Sequence, residues 1–310
     1  MIPRIDTPTT GAWTGASKGS AAGTRIFIRL ISLFGRPPAY ALLVLVSAWY
    51  ALTDRTSAAA LRSMRNRLGL PTRRIDFWRH FFHFGISMID RLAYLLGKTE
   101  FAYTGYDGRT PESILPPDRG AIVISAHVGN WEVAGNALGD TRTVNVIMVD
   151  NERPRIRELF QRALSRRRIN VIPFGRNMLE PAFAIKAALD RHEIVCMHGD
   201  RSIGRNDETA DFLGAPALFP RGPFEIAAIT GAALTPVFAV RESWKRYRLI
   251  ILSPISVHGS DRDAAIRSAV REYAAALEKT VRAYPYEWYN FYDFWHMRED
   301  RNHNGHNGQA

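Results

Sequence analysis

The sequence predicts an α/β fold in which helices cover a mostly parallel central sheet. From about Phe101, short runs of small and β-branched apolar residues alternate with turns and with helical periodicity. This repeated strand–helix order is typical of parallel sheets, because each crossover places a helix on one face of the sheet. The 310 residues are enough to bury such a domain together with additional helices. The pattern divides the chain into a flexible tail (1–24), a helical region (25–100), an α/β domain (101–295) and a polar tail (296–310).

The helical region contains an apolar segment that predicts contact with a membrane. Residues 39–53 carry no charge, and arginines precede them. A helix that crosses a bilayer needs about 20 such residues, so we expect this helix to enter one leaflet rather than to cross. Residues 75–96 follow as an aromatic helix, after a segment rich in arginine. We therefore expect residues 25–100 to be a membrane-associating segment. A buried helix in a soluble fold is the alternative for residues 39–53.

The net charge restricts the partners. The chain carries 41 basic and 30 acidic residues, a net charge of +11, and only five of the basic residues are lysines. Arginine suits bidentate binding of phosphate or carboxylate groups. Anionic lipid head groups, an acidic carrier protein and nucleic acid would each fit this charge. The sequence has no zinc finger, RNA-binding aromatic signature or coiled-coil heptad, and we therefore expect no nucleic-acid partner.

The most informative stretch is residues 121–132, where a predicted buried strand ends near a histidine. Residues 121–125 are small or β-branched, and the polarity changes at His127. Asn130 is a favourable N-cap for the helix that follows, which places Glu132 in the first helical turn. The helix dipole stabilises a carboxylate there. Beside an imidazole, that carboxylate would hold one tautomer and raise the basicity of the free nitrogen, as a general base requires. A core histidine with a capping glutamate is the alternative.

Other predicted strands also end in polar side chains. Asp150, Arg176 and Asp200 each follow a predicted strand, as His127 does. Ligands of open α/β sheets bind outside the carboxyl ends of the strands. We therefore expect these residues, which are far apart in the sequence, to meet at one edge of the sheet.

The segment His127-Val-Gly-Asn-Trp-Glu132 resembles a known signature. It is similar to the His-x4-(Asp/Glu) motif of the glycerolipid and lysophospholipid acyltransferase superfamily. The Asn-Trp pair within it resembles the branch that contains the late acyltransferases of bacterial lipid A. The resemblance covers roughly residues 25–295 and implies a glycerolipid acyltransferase-like fold. It also implies that His127 is the catalytic base and that Glu132 is its partner.

Further segments resemble blocks of the same superfamily. Residues 174–176, Phe-Gly-Arg, stand where relatives carry an arginine that meets acceptor phosphate, and residues 199–201, Gly-Asp-Arg, match an Asp-rich turn. Residues 219–223 resemble a Phe-Pro-Glu-Gly-Thr block in which Arg221 replaces the glutamate. The resemblance thus implies a set of substrate-binding residues: Asn130, Arg176, Asp200, Arg201 and Arg221. At single positions a structural role remains the alternative to substrate binding. These roles are a turn at Gly175, a helix cap by Asp200, and loop boundaries at Pro220 and Pro223.

Several kinds of catalytic chemistry lack support in the sequence. The single cysteine, Cys196, lies in an apolar run, which is typical of a buried residue in a protein without disulfides from a reducing compartment. No Gly-x-Ser-x-Gly elbow and no glycine-rich nucleotide loop is present. Four potential metal ligands could lie on one edge of the sheet: His127, Glu132, His198 and Asp200. The resembled family needs no metal, and we expect no cofactor.

Together these motifs predict a membrane-associated acyltransferase. It would move a fatty acyl group from a thioester of acyl-carrier protein or coenzyme A to a hydroxyl of an anionic lipid or glycolipid. We expect it at the cytoplasmic face of the inner membrane. Two other functions stay open: a non-catalytic, basic membrane-binding protein of the same fold, and a thioester hydrolase that uses the same pair of residues.

The aromatic end of the chain bears on the acceptor. Residues 284–295 resemble the Pro…Trp segment found near the C-terminus of enzymes of the lipid A branch, but their amino-acid sequence differs from the usual one. We therefore expect an anionic lipid other than standard lipid A, and a lipid A enzyme with a varied ending is the alternative. We expect this segment to pack against the sheet and to line the entrance for the acyl chain.

Overall fold

The computed structural model describes residues 21–105, 115, 117–139, 142–149, 168–174, 179–202 and 206–295. Two of the polar residues predicted at strand ends, Asp150 and Arg176, lie outside the described residues, as do residues 1–20 and the tail of residues 296–310.

Among the described residues, four helices precede the sheet: α1 (Ala21–Phe34), α2 (Arg36–Thr53), α3 (Arg55–Arg67) and α4 (Arg74–Leu95). Helix α1 thus begins inside the segment expected to be a flexible tail. Prolines stand in the first turn of α2, where a missing N–H costs little. Asp54 caps α3 by accepting a hydrogen bond from the N–H of Ser57. Helix α2 packs along α4. In the part of the chain that the structure describes, no helix is both long and apolar enough to cross a membrane.

The described residues form nine strands. They are β1 (Ala102–Thr104), β2 (Ala121–Ser125), β3 (Val144–Val149), β4 (Ile169–Phe174), β5 (Ile194–His198), β6 (Asp207–Phe212), β7 (Ala215–Pro220), β8 (Leu234–Ser243) and β9 (Arg246–Ile251). Seven of them form one sheet in the order β1-β9-β8-β2-β5-β3-β4, and β6 and β7 form a separate antiparallel hairpin. Strands β8, β2, β5, β3 and β4 are parallel, whereas β9 is antiparallel to β8. The predicted mostly parallel sheet is confirmed.

Helices cover both faces of this sheet. In the described part of the chain the remaining helices are α5 (Trp131–Gly139), α6 (Leu179–Asp190), α7 (Gly222–Thr230) and α8 (Arg262–Ala283). Helices α6, α7 and α8 pack over one face, and α5 packs over the other with the end of α4. Ile122 and Ile124 of β2 point into the first core, and Ala121 and Val123 into the second. This two-sided burial explains why β2 is apolar along its whole length.

Candidate active site

The candidate catalytic residues lie at the carboxyl edge of the sheet, where β2 and β5 are neighbours. The two strands are parallel, and Ser125 of β2 is paired with His198 of β5. His127 follows β2 and Asp200 follows β5, so the register places the two residues at the same level beyond the strand ends. The structure therefore brings together two residues that the sequence pattern placed at this edge.

Asp200 holds both the backbone and the ring of His127. Nδ1 of His127 lies 2.8 Å from Oδ1 of Asp200, and the His127 backbone N–H donates to Oδ2 at 2.9 Å. A carboxylate only accepts, so Nδ1 carries the proton and Nε2 keeps its lone pair. Nε2 is therefore the ring nitrogen that can take a proton from another molecule.

The surrounding charges set the protonation state of this pair. Burial raises the pKa of Asp200, but the charge and the hydrogen bond of His127 outweigh it and hold the pKa well below its usual range. Burial lowers the pKa of His127, and the Arg201 guanidinium lowers it further, against the opposing effect of Asp200. At neutral pH the pair is a neutral imidazole beside a carboxylate. The His127 side chain is 26% exposed, which leaves it accessible to a substrate.

Glu132 does not occupy the place that the motif spacing suggested. It lies in the first turn of α5, as expected, but it is buried and forms an ion pair with Arg91 of α4. The carboxylate on the His127 ring is that of Asp200. The physical reason is the geometry of the turn: α5 begins at Trp131 and directs its first turn toward α4, whereas the β2–β5 register delivers Asp200 to the imidazole.

Asn130 and Gly129 shape the turn between His127 and α5. Oδ1 of Asn130 accepts the N–H of Val133 at 3.4 Å, which confirms the predicted helix cap, and its amide donates to the Ser87 carbonyl at 3.1 Å. Asn130 is buried, so these contacts are structural rather than directed at a substrate. Gly129 has φ 62°, and a Cβ there would collide with the carbonyl oxygen of Ala239. The turn therefore needs glycine at this position.

The predicted substrate-binding arginines have different surroundings. Arg201 lies beside the His127–Asp200 pair and donates from Nη2 to the Tyr289 carbonyl at 3.0 Å. Arg221 forms ion pairs with three carboxylates, those of Glu208, Asp263 and Glu225. These carboxylates therefore already balance the charge of Arg221, which is far from the His127 turn in the sequence. Arg176 lies outside the described residues, so its expected contact with an acceptor stays a prediction.

His198 is a second imidazole at the same edge. Its ring stacks on that of His127 with 4.3 Å between centroids, and Trp131 meets it edge-on at 5.2 Å. Burial, followed by the nearby His127, lowers the pKa of His198 to about 3, so the ring is neutral. One donor atom each from His127, His198 and Asp200 lies within 4.8 Å of the others. Glu132, the fourth potential ligand named from the sequence, is not in this group because it is paired with Arg91 of α4. The positive charge of the neighbouring Arg201 opposes the binding of a cation there.

The C-terminal aromatic segment contacts both the His127 turn and Asp200, and the sequence reasoning did not predict these contacts. The backbone N–H of Tyr289 donates to the His127 carbonyl at 2.7 Å, and that of Gly129 donates to the Glu287 carbonyl at 2.7 Å. The indole N–H of Trp288 donates to Oδ2 of Asp200 at 3.2 Å. Aromatic density marked the segment as buried, but no local pattern identifies which carboxylate an indole will contact.

The sequence matches a known protein family. The profile of the family described as Bacterial lipid A biosynthesis acyltransferase matches residues 112–297. Phosphatidylinositol mannoside acyltransferase of Mycobacterium tuberculosis (strain H37Rv) is 26% identical over 181 residues, which cover 57% of this chain and 55% of that protein. The protein of the same name from Mycolicibacterium smegmatis is 26% identical over 180 residues, which cover 57% of each chain. The chain thus spans about half the length of the curated relatives it matches.

Among solved structures, the 1-acyl-sn-glycerophosphate (LPA) acyltransferase PlsC from Thermotoga maritima aligns with a TM-score of 0.39 and 16% identity, over 80% of this chain and 99% of that one.

The family match covers more than half of the 310 residues and includes His127, Glu132 and Asp200. The resemblance carried by the His-x4-Glu motif is thereby confirmed, and this chain belongs to the family of bacterial lipid A biosynthesis acyltransferases.

Proposed function

We propose that this chain transfers a fatty acyl group from an acyl thioester to a hydroxyl of a lipid. The observation that carries the proposal is the His127–Asp200 pair at the carboxyl edge of the sheet, in a member of an acyltransferase family. A neutral imidazole whose Nδ1 is held by an ionised carboxylate suits a general base that acts on an alcohol.

The reaction follows from the position of the free ring nitrogen. Nε2 of His127 takes the proton of the acceptor hydroxyl while its oxygen attacks the thioester carbonyl. Asp200 stabilises the imidazolium that forms. The tetrahedral intermediate then collapses, the carbon–sulfur bond breaks, and the thiolate leaves with the proton from Nε2. The thioester is already activated, so no acyl-enzyme is needed.

Two charged side chains support these steps. Arg201, next to His127, stabilises the oxyanion of the intermediate or an anionic group of the acceptor. Glu132 acts indirectly, because its ion pair with Arg91 fixes the start of α5 and with it the turn that carries His127. Arg176 remains a candidate for binding acceptor phosphate, whereas the internal contacts of Asn130 and Arg221 favour structural roles.

The helical region is proposed to hold the enzyme on the cytoplasmic face of the inner membrane. Large apolar side chains of α1 and α2 are solvent-exposed: Leu33, Phe34, Leu45, Trp49 and Leu52. Exposed apolar groups of this size are typical of a surface that enters the lipid interface. The positive charge of the chain would add attraction to anionic lipids.

The acceptor is proposed to be an anionic glycolipid or phospholipid other than standard lipid A. The arginine-rich composition and the varied aromatic ending favour it. The mycobacterial relatives are named for phosphatidylinositol mannoside, which is a phosphate-bearing glycolipid rather than lipid A. The donor is an acyl thioester of acyl-carrier protein or coenzyme A.

Comparative mass spectrometry of total lipids tests this proposal. A deletion strain is compared with strains complemented by the wild-type chain and by His127→Ala. We expect one lipid to lose a single acyl mass in the deletion strain, and only the wild-type chain to restore it. Loss of an acyl chain from lipid A would overturn the proposed acceptor. An unchanged lipid profile in all three strains would contradict the proposed enzyme activity.

A further inference from the structure

Trp288 lies between the catalytic carboxylate and the helical region. The residue is fully buried, and its indole N–H donates to Oδ2 of Asp200 at 3.2 Å. Its carbonyl lies 2.9 Å from Nε2 of His80 in α4. Burial lowers the pKa of His80 to about 3, so this ring is neutral, and Nε2 donates its proton to the carbonyl. The side chain and the backbone of Trp288 are therefore both fixed.

The two oxygens of Asp200 have separate partners. Oδ1 faces Nδ1 of His127, and Oδ2 accepts from the His127 backbone N–H and from the Trp288 indole. Two donors on Oδ2 oppose rotation of the carboxylate, and this keeps Oδ1 directed at the imidazole. We propose that Trp288 is a positioning residue for acyl transfer that acts through Asp200. This inference rests on the function proposed above.

The backbone around Trp288 gives the indole little freedom to move. Glu287 accepts the N–H of Gly129 through its carbonyl, and its side chain lies 2.8 Å from Nδ1 of His83 in α4. Tyr289 donates its N–H to the carbonyl of His127. The segment thus joins α4 to both ends of the catalytic turn, and the indole N–H is presented to Asp200 in a defined orientation.

The chain offers a matched control for this role. Trp295 belongs to the same aromatic cluster, with 6.3 Å between its ring centroid and that of Trp288. Its indole N–H donates to the backbone carbonyl of Phe212 at 3.0 Å instead of to a catalytic group. Trp288→Phe and Trp295→Phe each remove one buried indole hydrogen bond from this core, but only the first removes a donor to Asp200.

The test measures kcat and KM of acyl transfer, together with the thermal midpoint, for both variants. We expect similar losses of thermal stability. We expect Trp288→Phe to lower kcat about tenfold. This is the lower end of the effect expected from losing a hydrogen bond to a charged group, because the His127 backbone N–H still donates to Oδ2. KM for donor and acceptor should change by less than about twofold, since the fully buried indole is shielded from bound substrates. Trp295→Phe should retain the wild-type kcat.

A double-mutant cycle with Asp200→Asn identifies the route of the effect. If Trp288 acts through Asp200, Trp288→Phe should lower kcat in the wild-type background and change it little in the Asp200→Asn background. Equal factors in both backgrounds, or equal kcat for Trp288→Phe and Trp295→Phe, would overturn the inference. A wild-type protein without transferase activity would instead refute the proposed function.

A second variant keeps the test valid if Trp288→Phe does not fold. Benzothienylalanine, introduced at position 288 by genetic-code expansion, replaces the indole N–H with sulfur at nearly the same shape. We expect the same loss of kcat from this substitution. A wild-type kcat would show that the ring fills space without orienting Asp200.

Discussion

Asp200→Asn distinguishes the two carboxylates that could serve His127. Asparagine offers one oxygen where aspartate offers two. If that oxygen keeps the donors at the Oδ2 position, the amide NH₂ faces Nδ1 of His127, and the ring proton moves to Nε2. The base is then blocked. The expected loss is about 10²–10⁴-fold in kcat, which corresponds to roughly 3–5 kcal/mol.

Glu132→Gln is the matched control, because it neutralises the carboxylate of the sequence motif. The substitution weakens the ion pair with Arg91 but leaves the contact between His127 and Asp200 unchanged. We expect kcat within about tenfold of wild type and a destabilisation of about 1–3 kcal/mol, since glutamine can still accept a hydrogen bond.

The assay is a single-turnover reaction with a purified protein, an acyl thioester and a membrane lipid extract. Circular dichroism and thermal melting establish that each variant is folded. The reasoning is refuted if folded Asp200→Asn keeps more than about a tenth of the wild-type rate, because that loss would be smaller than the range of about 10²–10⁴-fold expected when a general base is lost. It is equally refuted if folded Glu132→Gln shows the larger of the two losses in rate.

Three other outcomes are expected. His127→Ala should lower the rate about 10²–10⁴-fold while the variant stays folded, and a folded variant that keeps more than about a tenth of the wild-type rate would contradict the role of this base. Burial lowers the pKa of His127, and protonation removes the free lone pair. A pH profile of kcat/KM should therefore lose activity below the ordinary histidine value of about 6.5, and an acid limb above that value would disagree. Leu45→Gln with Trp49→Gln, which alters side chains 70% and 65% exposed, should weaken binding to anionic liposomes at least about tenfold. Phe183→Gln with Ile229→Gln, at sites 65% and 70% exposed in α6 and α7, is the control, and equal effects would argue against a specific membrane surface.

The sequence was sufficient to predict the fold and the local structure around His127. A wholly apolar strand such as residues 121–125 requires burial on both faces, and Asn130 followed by Glu132 is a local signal for a helix start. Local signals also identified the strand that precedes Asp200. These features depend on residues that are close in the chain, so their physical cause can be read from the sequence.

The pairing within the site depended on contacts that are distant in the chain. Spacing in the motif favoured Glu132 as the partner of His127, but the register of β2 against β5 decides which carboxylate reaches the ring. Arg221 carried a motif position, yet it forms ion pairs with Glu208 and Asp263, which belong to separate segments. The contact between Trp288 and Asp200 joins the end of the chain to its centre. None of these pairings has a local signature.

The central claim is that this chain moves an acyl group from a thioester to a lipid hydroxyl with His127 as the base. The most direct measurement incubates the purified protein with an isotope-labelled acyl thioester and a membrane lipid extract, and analyses all labelled products by mass spectrometry. We predict that the label appears in one lipid whose mass rises by a single acyl group, and that His127→Ala abolishes this product. Label recovered mainly as free fatty acid would indicate a thioester hydrolase, and label that stays in the thioester would indicate a non-catalytic protein; either result would contradict the claim.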